Sequence, residues 1–376
     1  MTDVISLRRE FRKIPETGLH NNKTATLIGE ILTSQGISWR KSAQTSGIIA
    51  DIPGDRPEAI VFRADTDALD IPDLIDKPWK SIHQGKCHAC GHDGHTAMLL
   101  AAAGDINSRR NELKKSVRLI FQPGEEGHGG AAIMTREGAV SQEKSSIIPE
   151  EIFGLHLWTY EKSGVVFLSQ GPVFAATCGF EITIRGSSVH AAKRHEVSDP
   201  LEAACALVTI LHQRIKEAST ASKPLLFHAG TISGGFGHNV VAEKIIIRGT
   251  LRSSDNLAHD EIIKQTDTFI SGFLERRDLA GEFRVFQKYG AVINDEKVTS
   301  RLHLASTLAG AQVNKCDFQM IGEDFSFYTD VIPGAFALIG AGFEGGKPHH
   351  SPTFDFDENV LHLGVEIWKN LAFSVV

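Results

Sequence analysis

The chain has 376 residues, of which 41% are hydrophobic and 23% charged, and its net charge is −7. That length suits two domains of roughly 150 residues each, and the composition argues against disorder. The acidic balance argues against a nucleic-acid partner, and no run approaches the ~20 apolar residues needed to cross a bilayer.

Residues 3–13 and 22–35 are predicted as helices, the second stopped by Gly36. The opening residues carry no apolar core of the signal-peptide kind, and five cysteines without framework spacing fit reduced thiols, so a cytoplasmic setting is expected. Short β-rich runs follow at 47–52, 59–64 (AIVFRA), 117–122 (VRLIFQ) and 152–157 (IFGLHL), with helical stretches at 95–109 and 131–137. The last three runs are almost continuously apolar, as strands buried on both faces are. Alternating strands and helices imply a mainly parallel sheet covered on both sides.

The middle of the chain reads differently. Strand 179–185, helix 199–218, strands 225–233 and 244–253, helix 259–277 and strand 281–289 give the order βαββαβ, the ferredoxin-like split pattern. The α/β style returns with helix 298–308 and a strand near 335–339. The expected division is therefore one domain from 1–173 and 290–376, with 174–289 inserted. Cys178, Cys205 and Cys316 are expected as small core residues.

Chemistry gathers at the ends of the predicted parallel strands. Asp65 and Asp67 follow the first apolar strand, Glu125 and Glu126 the second, and His156 lies near the end of the third. In an open α/β sheet that edge is where ligands bind. Between the first two strands, CHACGHDGH (87–95) offers thiolate, imidazole and carboxylate donors together, a set that suits a borderline divalent metal. A redox pair of Cys87 and Cys90, half of a structural zinc site and a chance cluster of histidines are the plainer readings. Glu125 and Glu126 alone would pass for a solvated loop. Neighbours on an extended chain point opposite ways, however, so one can bind metal while the other serves as a base. His349 and His350, between two prolines, gain meaning only if the chain returns to the same sheet edge.

These motifs resemble the aminoacylase/carboxypeptidase family of co-catalytic metallopeptidases, nearest to its amidohydrolase branch: hippurate hydrolase, auxin-conjugate (IAA-amino acid) hydrolases and N-acetyldiaminopimelate deacetylase. The likeness runs through FRADTDAL (62–69), CHACGHDGHTAMLL (87–100), FQPGEEGHGGA (121–131), GLHLW (154–158), GTISGGFGHNVV (230–241), GEDFSFY (322–328) and HHSPTFDFDE (349–358). It implies an α/β fold, a phosphorylase/hydrolase-like catalytic domain with an inserted ferredoxin-like α+β lid that also dimerises. It further implies a dinuclear centre of zinc, manganese, cobalt or nickel. Cys90 would bridge the two ions, His92 and His156 would complete one site, and Glu126 and His350 the other. Glu125 would be the general base, Asp67 would orient a ligand, and His190 would steady the oxyanion, often from the partner subunit. Asn239 and Arg252 would meet the substrate.

The activity implied is hydrolysis of an N-acyl amino acid or a similar small conjugate, in a homodimer without membrane or nucleic-acid partners. A dipeptidase or carboxypeptidase of the same family is the runner-up; a metal-binding homologue without turnover would lack Glu125, which is present. The chain departs from the family at Asp70, where proline is usual, along 73–83, at Arg12, where relatives often carry histidine, and at His128, where glycine is common. His128 is expected to be exposed.

Overall fold

The computed structural model describes residues 3–142 and 146–374. Two compact units emerge, one formed by residues 1–173, 292–317 and 324–376 and the other by 174–291 and 318–323.

The larger unit is built on an eight-stranded sheet. Its strands lie side by side in the order Ser38–Lys41, Ile48–Ile52, Ser116–Gln122, Glu58–Asp65, Ile148–Lys162, Gly334–Gly342, Val165–Leu168 and Gln312–Lys315. The four central strands run parallel. The antiparallel pairings lie towards the flanks, where Ser38–Lys41 meets Ile48–Ile52, Ile48–Ile52 meets Ser116–Gln122 and Val165–Leu168 meets Gly334–Gly342. This is the α/β, mainly parallel architecture expected. Among the described residues, no helix is long and apolar enough to cross a membrane.

Helix His92–Ser108 lies almost wholly buried between helices Val4–Lys13 and Val360–Phe373 and the central strand Glu58–Asp65. Its alanine-rich sequence lets those neighbours approach closely. It starts three residues before the expected 95–109 helix, because Gly91 at φ 92° turns the chain and brings His92 and Asp93 into the first turn. The central strand's Phe62 packs on Trp368 with ring centroids 4.7 Å apart. Helix Val360–Phe373 was not among the expected elements, although Val360, Leu361, Ile367, Trp368 and Leu371 form its buried stripe.

The smaller unit is a four-stranded antiparallel sheet in the order Ala280–Tyr289, Ala176–Arg185, Lys244–Ser253, Leu225–Gly234. Helices Pro200–Ala218 and Asn256–Glu275 pack against it, giving the ferredoxin-like order. Each helix begins on an aspartate cap, Asp199 or Asp255, whose carboxylate accepts first-turn N–H groups. Phe180 and Phe227 stack at 5.1 Å in the core. The cysteine expectation is corrected at one position. Cys178 and Cys316 are buried, but Cys205 is exposed, because its helix turns Ala203, Ala204, Leu207 and Leu211 inward and leaves 205 outside.

Candidate metal centre

The parallel strands Glu58–Asp65, Ser116–Gln122, Ile148–Lys162 and Gly334–Gly342 all deliver their C-terminal ends to one edge of the sheet. Asp65 and Asp67, the Glu125–Glu126 pair and the loop bearing His350 therefore leave the sheet together. Helix His92–Ser108 begins there, and His156 lies inside its strand. Gly130 lets the GEEGHGG loop fold tightly, since a Cβ there would lie 1.7 Å from the Pro123 carbonyl oxygen.

Five potential donors converge. Cys90, His92 and Glu126 offer ligand atoms within 4.8 Å of one another. The Cys90 Sγ is 3.6 Å from His156 Nε2, and His350 Nε2 is 3.2 Å from Glu126 Oε1. The main-chain N–H of His350 donates to the Ala89 carbonyl at 2.8 Å, so the C-terminal histidines do return to this edge.

Hydrogen bonds set the histidine tautomers. His92 Nδ1 donates to the Asp67 carbonyl oxygen at 2.8 Å, and His156 Nδ1 donates to that of Leu157 at 2.7 Å. Each ring thus turns Nε2 toward the cluster as a potential ligand, the arrangement in which a supporting bond fixes a metal-binding imidazole. His92 Nε2 is buried without a hydrogen-bond partner among the described residues, which a bound cation would remedy. The mixed S, N and O donors suit a divalent metal.

The local field favours positive charge. Burial, then the carboxylates of Glu126, Glu125 and Asp65, push the Cys90 thiol well up. Burial alone would lower His92, but Asp65, Asp67 and Glu126 outweigh it and raise the imidazole to about 10. Burial raises Glu126, yet His350 and His92 hold it below the usual carboxylate range. Burial, reinforced by His95, keeps His156 neutral. The redox reading gains nothing, because Cys87 is buried and desolvation pushes its thiol up to about 12.

Asp67 acts in two ways. Its carboxylate accepts from Glu125 N at 3.0 Å and Glu126 N at 3.1 Å, while its main-chain carbonyl orients His92. The side chain therefore sets the two glutamates more directly than it sets the imidazole. Glu125 is buried to 9% exposure.

The remaining expected residues belong to the smaller unit. His190 is exposed and caps the short helical turn Ala191–Glu196, its Nδ1 accepting from Ala192 N at 3.2 Å. Asn239 is exposed, and its carbonyl accepts from Ala191 N, which ties the two loops together. Arg252 is half-buried on strand Lys244–Ser253, donating to the Met320 carbonyl. His128 is exposed.

Sequence reasoning missed the scaffold beneath the donors. Buried Arg63 donates to Gln122, Asp65 and Asp324, and Asp324 also receives the side chain of Gln122 and the N–H of Ala131. Burial pushes Asp324 up to about 6 despite Arg63. Asp65 accepts from His95 Nδ1 at 2.6 Å, while His95 Nε2 accepts from Leu157 N, so both nitrogens of that histidine are engaged. Arg12 is fully buried, pairing twice with Asp73 and donating to the carbonyls of His88 and Phe354. It anchors the unusual 73–83 segment to the two loops that carry the candidate ligands Cys90 and His350. A charged residue inside an amphipathic helix or an apolar strand was the available signal, but its partners lie too far along the chain to be read from it.

Comparison with known proteins supplies the context. Residues 61–374 match the profile of peptidase family M20/M25/M40. N-acetyl-L-cysteine deacetylase of Bacillus subtilis is 32% identical over 95% of this chain and 84% of its own. IAA-amino acid hydrolase ILR1-like 2 of Arabidopsis thaliana is 31% identical over 98% and 84%. Among solved structures, Bacillus subtilis YXEP protein, described as a dinuclear metal binding peptidase from the M20 family, aligns over 98% of this chain and 96% of its own at 29% identity and TM-score 0.83. A converging S/N/O donor set at the sheet edge and near-complete alignment to these enzymes lead to one conclusion: the chain belongs to peptidase family M20/M25/M40.

Proposed function

We propose that this chain hydrolyses the amide bond of small N-acyl amino acids or similar conjugates, releasing a carboxylate and a free amino acid. It is a metal-dependent amidohydrolase, and the named relatives that act on N-acetylcysteine and on IAA-amino acids support this substrate class. One observation carries the reading: Asp67 holds Glu125 and Glu126 side by side, with Glu126 among the donors.

Cys90, whose Sγ lies within reach of His92, Glu126 and His156, would be shared by two ions; His92 and His156 would help hold one of them, and Glu126 and His350 the other. When bound, two divalent ions, with zinc, manganese, cobalt and nickel all suited to the donor set, supply Lewis acidity to the amide carbonyl and the attacking water. Glu125 takes the proton from that water and delivers it to the leaving nitrogen. His190 accepts at Nδ1, so its Nε2 carries the proton and is free to donate to the developing oxyanion. Asn239 and Arg252 bind the substrate, Arg252 offering a cation to its carboxylate. The smaller unit serves as lid and homodimer interface, and the buried free thiols Cys87 and Cys178 fit a cytoplasmic setting.

The test is hydrolysis of a panel of N-acetyl, N-benzoyl and longer N-acyl amino acids beside dipeptides, using EDTA-stripped protein with each metal restored under reducing conditions. Metal-restored release of free amino acid from the acylated substrates is expected. Turnover of dipeptides alone would replace this reading with a peptidase.

A further inference from the structure

His350 occupies an unfavourable place for a ligand. Its backbone sits at φ 65°, in the left-handed region that non-glycine residues rarely adopt, and its side chain is about half exposed. The preceding stretch from Phe343 to Pro348 is exposed and contains two consecutive glycines. Such a segment cannot by itself hold an imidazole against Glu126. Something beside it must.

We infer that His349 is the positioning residue that fixes His350 for metal binding. Its Nε2 accepts the Thr159 N–H at 3.1 Å, on the strand that carries His156 three residues earlier. Its ring stacks on Trp158 at 4.9 Å and 29° and packs beside Phe354 at 5.0 Å. The neighbouring His350 N–H bonds to Ala89, next to Cys90. The His349–His350 pair therefore fastens its loop to both the His156 strand and the Cys90 loop. The tautomer follows: Nε2 is an acceptor, so the proton resides on Nδ1 and the ring is neutral. His349 takes no part in the proposed donor set.

The inference rests on His350 being a ligand, and the experiment separates the two. EDTA-stripped full-length protein is titrated with cobalt(II) by equilibrium dialysis and visible absorbance, counting ions and their affinities. Wild type is expected to take two ions, and His350→Ala to lose affinity for one. His349→Phe keeps the stack but leaves the Thr159 N–H without its acceptor, so it should weaken that same ion by about 10–100-fold, as loss of a ligand-orienting bond does. His349→Gln, whose amide oxygen can take the same N–H, should stay within about threefold of wild type, a rescue that a merely structural role would not give. His349→Asn, too short to reach Thr159, carries the test if the phenylalanine variant does not fold. Two undiminished cobalt sites in His349→Phe, beside one lost in His350→Ala, would overturn the inference. So would equal weakening in the phenylalanine and glutamine variants. Two undiminished sites in His350→Ala would instead overturn the ligand assignment.

Discussion

Replacing Asp67 by Asn tests whether the geometry of the two glutamates, as distinct from their presence, sets the rate. Each carboxylate oxygen of Asp67 accepts one main-chain N–H, at 3.0 and 3.1 Å, and the residue is 1% exposed. Asparagine keeps one acceptor and turns an NH₂ group toward the other N–H. The variant therefore loses one charge-assisted hydrogen bond, weakens the second and sets donor against donor. At about 1.5–3 kcal/mol for a bond to a charged group, the loss should come to roughly 3 kcal/mol. Part of it should appear as lower stability of the metal-free protein in urea. The rest should appear as displacement of Glu125, and about 1 Å of misplacement costs on the order of 10²-fold in rate. The shorter contact to His92, at 2.8 Å, uses the main-chain carbonyl, which the substitution leaves in place, whereas the carboxylate lies 3.6 Å from His92 Nδ1, so metal affinity should fall less than turnover. The assay pairs kcat/KM on the best N-acyl substrate at saturating metal with a metal titration. A kcat/KM within threefold of wild type would refute the reasoning, as would a loss wholly accounted for by lost metal.

Glu125→Gln should bind both ions normally and lose about 10²–10⁴ in kcat, the usual worth of a general base; retained hydrolysis would remove Glu125 from that role. His190→Ala should keep its metal and lose mainly kcat, which steady-state kinetics beside metal analysis would show; a loss of metal alone would contradict its assignment to oxyanion binding. His259 gives a pH test away from the metal centre. Burial, aided by Lys288 and opposed by Asp260, pushes it down to about 4, against ~6.5 when unfolded. Below pH 6.5 the unfolded chain takes up a proton that the folded chain refuses, so stability falls as pH drops toward 4. Urea unfolding at pH 5 and pH 7 should show about 2 kcal/mol of this loss in wild type and its absence in His259→Leu; equal slopes in both would count against it.

Much of the fold could be read from the sequence because its signals are local. The apolar runs at 59–64 and 117–122 became the central strands, and the βαββαβ order of the middle segment became an antiparallel ferredoxin-like sheet. The strand around His156 runs much further than expected, from Ile148 to Lys162, since polar residues at its far end still pair. Candidate donors were legible where several residue types crowd together, as in CHACGHDGH. His350 was not convincing alone, because its meaning depends on the loop after Gly334–Gly342 reaching Ala89 and Glu126. The Arg63–Asp324 and Arg12–Asp73 pairs were illegible for the same reason: a buried charge is explained only by its partner, and the partner is set by topology. Cys205 failed differently, since apolar neighbours in sequence did not share its face of the helix.

The scatter of the donors along the chain has a mechanical meaning. Glu126 lies before the inserted segment and His350 after it, so an ion held by both closes a loop containing the whole of that insertion. The closure acts as a reversible cross-link, anchored late in the chain by an exposed, glycine-bearing loop. Chelation should therefore leave the central strands in place and first release the segment around residues 343–351. Limited proteolysis there would read the state of the centre without any substrate.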